Sequence, residues 1–183
     1  MKDQKKIRSI AEYVLFFWIY AVIGWLYEVT LETVIYRWGF SNRGVLFGPW
    51  LPVYGFGAVV FLLLWYRLIK GKTLKWKLLM IPVIFCLTMA TATLIELITS
   101  YLCEWIIGSW PWQTYADYAV NFQARIALSP SIRFGIGGVV FLYVIQPLLD
   151  ILASKMKTKT VLVSAAVIIT VLAADLVYTV FFR

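Results

Sequence analysis

The sequence predicts an all-α integral membrane protein. Five transmembrane helices are expected, as two helix hairpins forming a parallel internal repeat plus one extra C-terminal helix. Three observations carry this. The 183 residues are 62% hydrophobic with a mean hydropathy of +0.84, well above the roughly 45–50% apolar content of soluble domains. Five apolar stretches approach or exceed the about 20 helical residues that a hydrocarbon core requires: Tyr13–Tyr36, Pro52–Ile69, Leu78–Leu102, Arg133–Leu152 and Val161–Phe182. Finally, 12 of the 17 basic residues fall at the N-terminus (Lys2, Lys5, Lys6, Arg8), in the 67–77 loop and in the 155–159 loop.

Those three segments alternate with the two connections that hold Arg37, Arg43, Arg125 and Arg133, so five spans place all twelve on one side and Arg183 on the other. By the positive-inside rule the N-terminus is cytoplasmic. The expected location is the cell membrane, crossed several times by a single transmembrane domain. The net charge of +8 is then that of a cytoplasmic face meeting anionic lipid, and nucleic acid is not an expected partner.

The first span follows a basic amphipathic start and is too long for a secretory signal, with no small-residue cleavage site after it. It carries Glu28 and Glu32, four residues apart on one helix face, about 22 and 28 Å along from Tyr13. Between residues 37 and 52 lie Gly39, Gly44, Gly48, Pro49 and Pro52, which no regular helix accommodates. This apolar segment reads either as a tightly packed or re-entrant lid or as an ordinary interfacial loop anchored by Trp38 and Trp50. Asn42 and Arg43 would be its polar contacts. Gly55 and Gly57, like Gly135, Gly137 and Gly138, are expected to let helices approach closely.

The third span has Pro82 near its start and Thr88, Thr91 and Thr93 in its middle. Glu96 lies about 27 Å along it from Leu78, with Thr99, Ser100, Tyr101 and Glu104 beyond. A second connection, 108–130, is rich in aromatic residues read as interface anchors (Trp110, Trp112, Tyr115, Tyr118, Phe122). The fourth span contains Gln146, Pro147 and, at its inner end, Asp150. The fifth holds Asp175, about 21 Å from Val161.

The repeat is read from Phe40–Leu62 and Phe122–Leu142. Phe40, Arg43 and Leu46 align with Phe122, Arg125 and Leu128; after a two-residue gap Gly55, Gly57 and Val59–Leu62 align with Gly135, Gly137 and Val139–Leu142. The copies would cover about 13–69 and 78–152, leaving the helix at 161–182 unmatched. Two hairpins of one orientation imply a pseudo-twofold axis along the membrane normal, with Arg43 and Arg125 facing each other across a central site.

Acids from three spans and arginines from both connections share one predicted depth, where either sign alone is expensive to bury. Arg43 or Arg125 is expected to make bidentate contacts to Glu28 or Glu96. The cluster is either a structural ion-pair network or the lining of an outward-facing pocket for a small polar solute. The candidate substrate-binding residues are Glu28, Glu32, Asn42, Arg43, Glu96, Ser100, Tyr101, Asn121, Arg125 and Asp175. Histidine is absent, removing the usual metal ligands and the commonest general base. Cys86 and Cys103 are about 25 Å apart on one helix and cannot bridge. No catalytic residue, metal or cofactor is assigned.

The blocks Gly24–Glu28, Asn42–Gly44 through Gly48–Pro49, Pro52–Gly55, Glu96–Tyr101, and Asn121 through Arg125–Ile126 with a Gly-rich helix after them resemble the CmpB-like family, described as putative type IV ABC-transporter permeases. The resemblance spans roughly Phe16 to Asp150. It implies a permease-like membrane protein whose motif residues here are Trp25, Glu28, Asn42, Arg43, Gly44, Gly48, Pro49, Tyr54, Gly55, Glu96, Ser100, Tyr101, Asn121 and Arg125. The chain has Gln146-Pro147 where a His-Pro is expected, and Gln113 where an acid is expected beside Trp112. The family label implies a separate ATPase or other membrane subunit as partner, since no G-x-x-x-x-G-K-[ST] segment occurs in this chain. The alternatives are an enzyme acting on a lipid-linked substrate at the outer leaflet, with Glu28 or Glu96 as base and an arginine on phosphate, and an accessory subunit whose ion pairs are structural.

Overall fold

An apolar chain inside a bilayer satisfies its backbone polar groups by forming helices. The computed structural model describes residues 2–182 and is helical apart from some turns, loops and one two-residue hairpin. Arg183, expected outside, and the side chain of Lys2, expected inside, lie outside the described residues.

Among the described residues, four helical runs are long and apolar enough to cross a membrane: Gln4–Ile35, Ile81–Ile107, Leu128–Lys155 and Thr158–Phe182. The first comprises α1 (Lys2–Thr30) and a π-helical turn, Leu31–Ile35. It starts well before the predicted Tyr13, because the basic amphipathic start continues the same helix. The second expected span, Pro52–Ile69, is shorter. Pro52 opens α2 (Pro52–Leu64) at the position where its missing N–H costs nothing. Thirteen residues give about 20 Å of α-helix, and a 3₁₀ turn over Tyr66–Leu68 follows.

A short helix, α3 (Leu74–Leu79), is separate from the third span. Thr73 caps its start by accepting from the Trp76 N–H at 3.4 Å. The chain then restarts as α4 (Ile81–Ile107), with Pro82 tolerated in its first turn. After β1 (Asn121–Phe122) and β2 (Ile126–Ala127), paired antiparallel as Asn121↔Ala127 and Phe122↔Ile126, comes α5 (Leu128–Val140). A π turn, Phe141–Ile145, joins it to α6 (Gln146–Lys155). The ring of Pro147 would meet the carbonyl four residues back in a regular helix, and a widened turn relieves that clash. The last helix is α7 (Thr158–Phe182).

Two compact units divide the chain, Met1–Val59 with Leu148–Arg183, and Val60–Pro147. In the first, α7 packs along α1 through Ala11, Leu15, Val161 and Ala165, flanked by Val14, Met156 and Ile168. Arg8 fastens the end where α1 begins. Its Nε meets Glu12 at 2.9 Å, while its two terminal nitrogens donate to the Thr158 hydroxyl and the Ala153 carbonyl, each at 2.9 Å. The carbonyl lies in the last turn of α6, where it also accepts from the Met156 N–H at 3.1 Å.

In the second unit α4 and α5 pack closely, and the threonines are the adhesive. Thr88, fully buried, donates to Ile84 O at 2.8 Å and approaches Gly135 O at 3.4 Å; Thr93 donates to Ser131 Oγ at 2.8 Å; Thr91 accepts from Trp65 Nε1 at 3.1 Å. Such interhelical hydrogen bonds and small residues hold helices together where no water drives them. The aligned glycines Gly55 and Gly135 serve as predicted: a Cβ would lie 2.7 Å from Phe17 O in the first unit and 2.6 Å from the Phe85 ring in the second. Gly57 and Gly137 do not, since a Cβ at either meets open space.

Candidate functional site

The first connection, 36–51, has no regular secondary structure, and the reason is local: Gly44 turns at φ +97°, which side-chain-bearing residues rarely adopt. It is nevertheless tied down at several points. Leu46 and Leu51 are buried, and the Leu51 N–H donates to the Ala21 carbonyl at 2.9 Å. Asn42 accepts from Trp25 Nε1 at 2.8 Å and donates to Phe47 O at 2.7 Å. Most of its residues are nevertheless exposed, with Leu46, Gly48 and Leu51 buried.

Its charged contacts come from α1 and α7. Glu32, in the π turn and only 6% exposed, forms an ion pair with Arg43 Nε at 3.0 Å and accepts from the Ser41 hydroxyl, which lies 2.8 and 2.9 Å from its two oxygens. Glu28, one turn earlier, accepts from the Tyr54 phenol. Asp175 points its two oxygens at the backbone amides of Phe47 and Gly48, each at 2.9 Å, and Thr179 donates to it at 3.3 Å. A carboxylate holding two successive N–H groups is a small anion nest run in reverse, with the anion supplied by the protein.

The second connection, 108–127, is a 3₁₀ turn (Gln113–Asp117) and the β1–β2 hairpin. Gln123 and Ala124 occupy the hairpin tip at φ 54° and 56° and the Arg125 N–H closes the turn on Phe122 O at 2.9 Å. Two side-chain-bearing residues in the left-handed region cost of order 1–2 kcal/mol each, so neighbours must hold them there. They do: Trp110 and Trp112 donate their indole N–H groups to Ala124 O at 3.0 Å and Arg125 O at 2.8 Å, and the Tyr101 phenol donates to the Gln123 side chain at 2.9 Å. Asn121 accepts from the Ala124 N–H at 3.1 Å.

This turn delivers Arg125 into a slot. Its guanidinium lies 4.1 and 4.0 Å from the ring centroids of Tyr101 and Trp110, pairs with Glu104 and reaches Ser100 Oγ at 3.4 Å. A planar cation between two π faces is a favourable use of arginine. Glu96, 8% exposed, accepts from the Tyr115 phenol at 2.8 Å. Arg133 donates to the hydroxyls of Tyr118 and Ser129 at 3.1 and 3.2 Å.

The partners differ from those predicted. Arg43 and Arg125 meet Glu32 and Glu104, the acids nearer the helix ends, instead of Glu28 and Glu96, which receive tyrosine hydroxyls. The connections lie beyond the helix ends, so their arginines reach the later acid first. Ser100, Tyr101 and Arg125 come together, with Asn121 setting the turn beside them; Glu32, Asn42, Arg43 and Asp175 all fasten one lid. The partner residues Tyr54, Trp110, Trp112 and Tyr115 were read from sequence as motif or anchor positions. No pattern in the sequence signals their polar role, since none of them lies near a buried acid along the chain. Two cavities, of about 360 and 70 Å³, lie in the second unit, and none of the ten candidate residues lines them.

No curated protein and no solved structure matches the chain. A family model described as "Putative ABC-transporter type IV" matches residues 15–180. The resemblance carried by the Arg43 and Arg125 blocks therefore extends over nearly the whole sequence, and this membrane protein belongs to the ABC_trans_CmpB family.

Proposed function

We propose that the chain is a multi-pass subunit of an ABC-type transport system in the cell membrane, driven by an ATPase on a separate chain, and that its charged residues latch the two lids shut. The observation that supports this reading is the pairing of each acid within its own hairpin: Glu28 with Tyr54, Glu32 with Arg43, Glu96 with Tyr115, Glu104 with Arg125. Groups spent on one another in this way are suited to fixing loops on helices.

The internal repeat is part of the proposal, and side-chain roles support it. Eleven residues separate Phe17 from Glu28, and eleven separate Phe85 from Glu96. In each hairpin that phenylalanine meets the aligned glycine and that glutamate accepts from a tyrosine. The same offset aligns Glu32 with Ser100, and both touch the arginine of their connection. In the second copy the acid stands one turn later, at Glu104. The distribution of lysine supports a cytoplasmic N-terminus, and a cysteine placed at Ser41 is expected to react with an impermeant maleimide from outside intact cells, while one at Thr73 does not. The opposite pattern reverses the orientation.

A second reading, a small polar solute held by Arg43 and Glu32, is favoured by the partial exposure of Arg43, 35% in its side chain. A thermal-shift screen of purified protein against polar metabolites separates the two. Latching predicts no stabilising solute in wild type, destabilisation in Arg43→Glu, and recovery when Glu32→Arg is added. A solute that raises the unfolding temperature of wild type but leaves the doubly swapped variant unchanged rejects latching in favour of binding.

A further inference from the structure

The segment between α2 and α4 takes no part in the latches. Ile69, Lys70 and Gly71 turn the chain, with Gly71 at φ +70°, and α3 follows two residues later. Three ties fix that short helix to its own unit. Thr73 caps its start, the Trp76 indole donates to Leu68 O at 3.0 Å, and the Tyr143 phenol donates to Lys77 O at 2.8 Å. Its outward surface is therefore held in a set position.

That surface is mixed. Leu74 and Leu78 share one row of the helix, and Lys75 and Leu79 the next. The three leucines are 72, 57 and 66% exposed, and Lys75 is exposed among them. Water would leave the leucines bare, and hydrocarbon would bury the ammonium. The boundary between headgroups and acyl chains accepts both. Because a run long enough to cross the membrane starts at Ile81, directly after α3, the helix stands at that boundary.

The charge at this end of the unit has one sign. Arg67, Lys70, Lys72, Lys75 and Lys77 follow one another closely, and the sequence has no acid between Glu32 and Glu96. Within the unit Glu96 lies about 22 Å along α4 from Ile81, and Glu104 and Asp117 come after it, toward and beyond the far end of that helix. Lys70 is already engaged over the Tyr66 ring, 5.2 Å from its centroid, and no part is assigned to it. Lys72 and Lys75 are exposed. The basic segment at 155–159 carries three lysines and no leucine, so charge and apolar rows coincide at α3 and not there.

We infer that residues 72–79 bind the headgroups of anionic phospholipids, with Leu74, Leu78 and Leu79 set among the upper acyl chains and Lys72 and Lys75 on phosphate. Lysine suits the task, since its long stem lies along apolar surface while the ammonium reaches the headgroups. The inference rests on the reading of Ile81–Ile107 as membrane-spanning. It is independent of the latches, of a partner ATPase and of which face of the membrane the segment occupies.

The test uses delipidated, detergent-purified protein titrated with dioctanoyl phosphatidylglycerol, dioctanoyl phosphatidylcholine and glycerol 3-phosphate, with binding read by native mass spectrometry and localised by hydrogen exchange. Phosphatidylglycerol is expected to slow exchange across residues 74–79 at least about threefold, phosphatidylcholine to slow it less, and glycerol 3-phosphate to leave it unchanged. Lys72→Gln combined with Lys75→Gln is expected to weaken phosphatidylglycerol binding at least about tenfold. Leu74→Ser combined with Leu78→Ser is expected to remove the protection while the lipid-free protein unfolds within a few degrees of wild type. Lys157→Gln combined with Lys159→Gln removes the same charge from the other basic segment and is expected to leave protection at 74–79 intact. Equal losses from the two lysine pairs overturn the proposal in favour of net charge alone, and equal protection by phosphatidylcholine overturns the preference for an anionic headgroup. Protection by glycerol 3-phosphate equal to that by the lipid overturns it in favour of a soluble anion. Undiminished protection in the Lys72 and Lys75 variant overturns it and leaves this surface to an acidic protein partner.

Discussion

Arg43→Ala is expected to destabilise the protein by about 3 kcal/mol, and Arg43→Lys by less than about 1 kcal/mol, because what Glu32 requires is a positive charge. Removing one partner of a buried pair leaves the other charge uncompensated, at a cost of about 3–5 kcal/mol. The buried member here is the acid, with its side chain 8% exposed against 35% for Arg43. The Ser41 hydroxyl offsets only part of the loss. In the second hairpin the burial is reversed, with Arg125 8% and Glu104 44% exposed in their side chains. Removing Arg125 leaves an acid that water can reach, so charge burial is not the main cost there. The loss is instead the planar cation between Tyr101 and Trp110, at about 1–2 kcal/mol per face, together with the slot left empty between them. Arg125→Ala is accordingly expected to cost about 4 kcal/mol, of which Arg125→Lys recovers less than half, since an ammonium cannot stack on both rings. Unfolding titrations in mixed detergent measure both series. Full rescue by lysine at position 125 would show that the aromatic sandwich contributes nothing beyond charge.

That contrast also marks how far the sequence could be read. The long apolar runs announced their helices, and the aligned Gly55 and Gly135 announced close packing, because hydropathy and small-residue spacing act locally along the chain. The basic segments set an expected orientation by the same kind of local argument. What stayed hidden depended on groups meeting from distant positions. Asp175 stood in the sequence with no cation near it on its helix, and its partners are backbone amides that no residue pattern advertises. The left-handed turn at Gln123 and Ala124 could not be foreseen, since neither residue favours it. The surrounding indole and phenol hydrogen bonds hold it together with its own closing bonds from the Arg125 and Ala124 amides. Depth along the helices brought Glu28 and Glu96 forward as partners for the arginines, yet a loop arginine reaches the acid nearer its own level. Arg8 was legible as an orientation charge and was not legible as the clasp on Ala153 and Thr158.

The second large effect is expected at Asp175, and it tests whether the first lid is held from α7. Both carboxylate oxygens accept backbone N–H groups, and hydrogen bonds to a charged group contribute about 1.5–3 kcal/mol each. Asp175 is partly exposed, which places the sum toward the lower end. Asp175→Ala is therefore expected to cost about 3 kcal/mol. Asp175→Asn supplies the sharper comparison because it keeps the shape. An amide offers one acceptor oxygen and sets an NH₂ donor against the second backbone N–H, so the isosteric change is expected to cost at least half as much as alanine. Were the carboxylate merely a polar surface group, asparagine would be neutral. Arg43–Glu32, the Asn42 pair and the Leu51–Ala21 bond remain on the α1 side and within the lid, and the Phe47–Tyr178 ring contact remains on α7, so the helices are expected to stay assembled while the Phe47 and Gly48 amides are freed. Hydrogen exchange at those two amides reads this directly. Exchange accelerated at least tenfold in Asp175→Asn, with the amides of α1 unchanged, identifies α7 as the post on which the lid closes. Unchanged exchange at Phe47 and Gly48 would mean that the Asp175 carboxylate does not hold the lid.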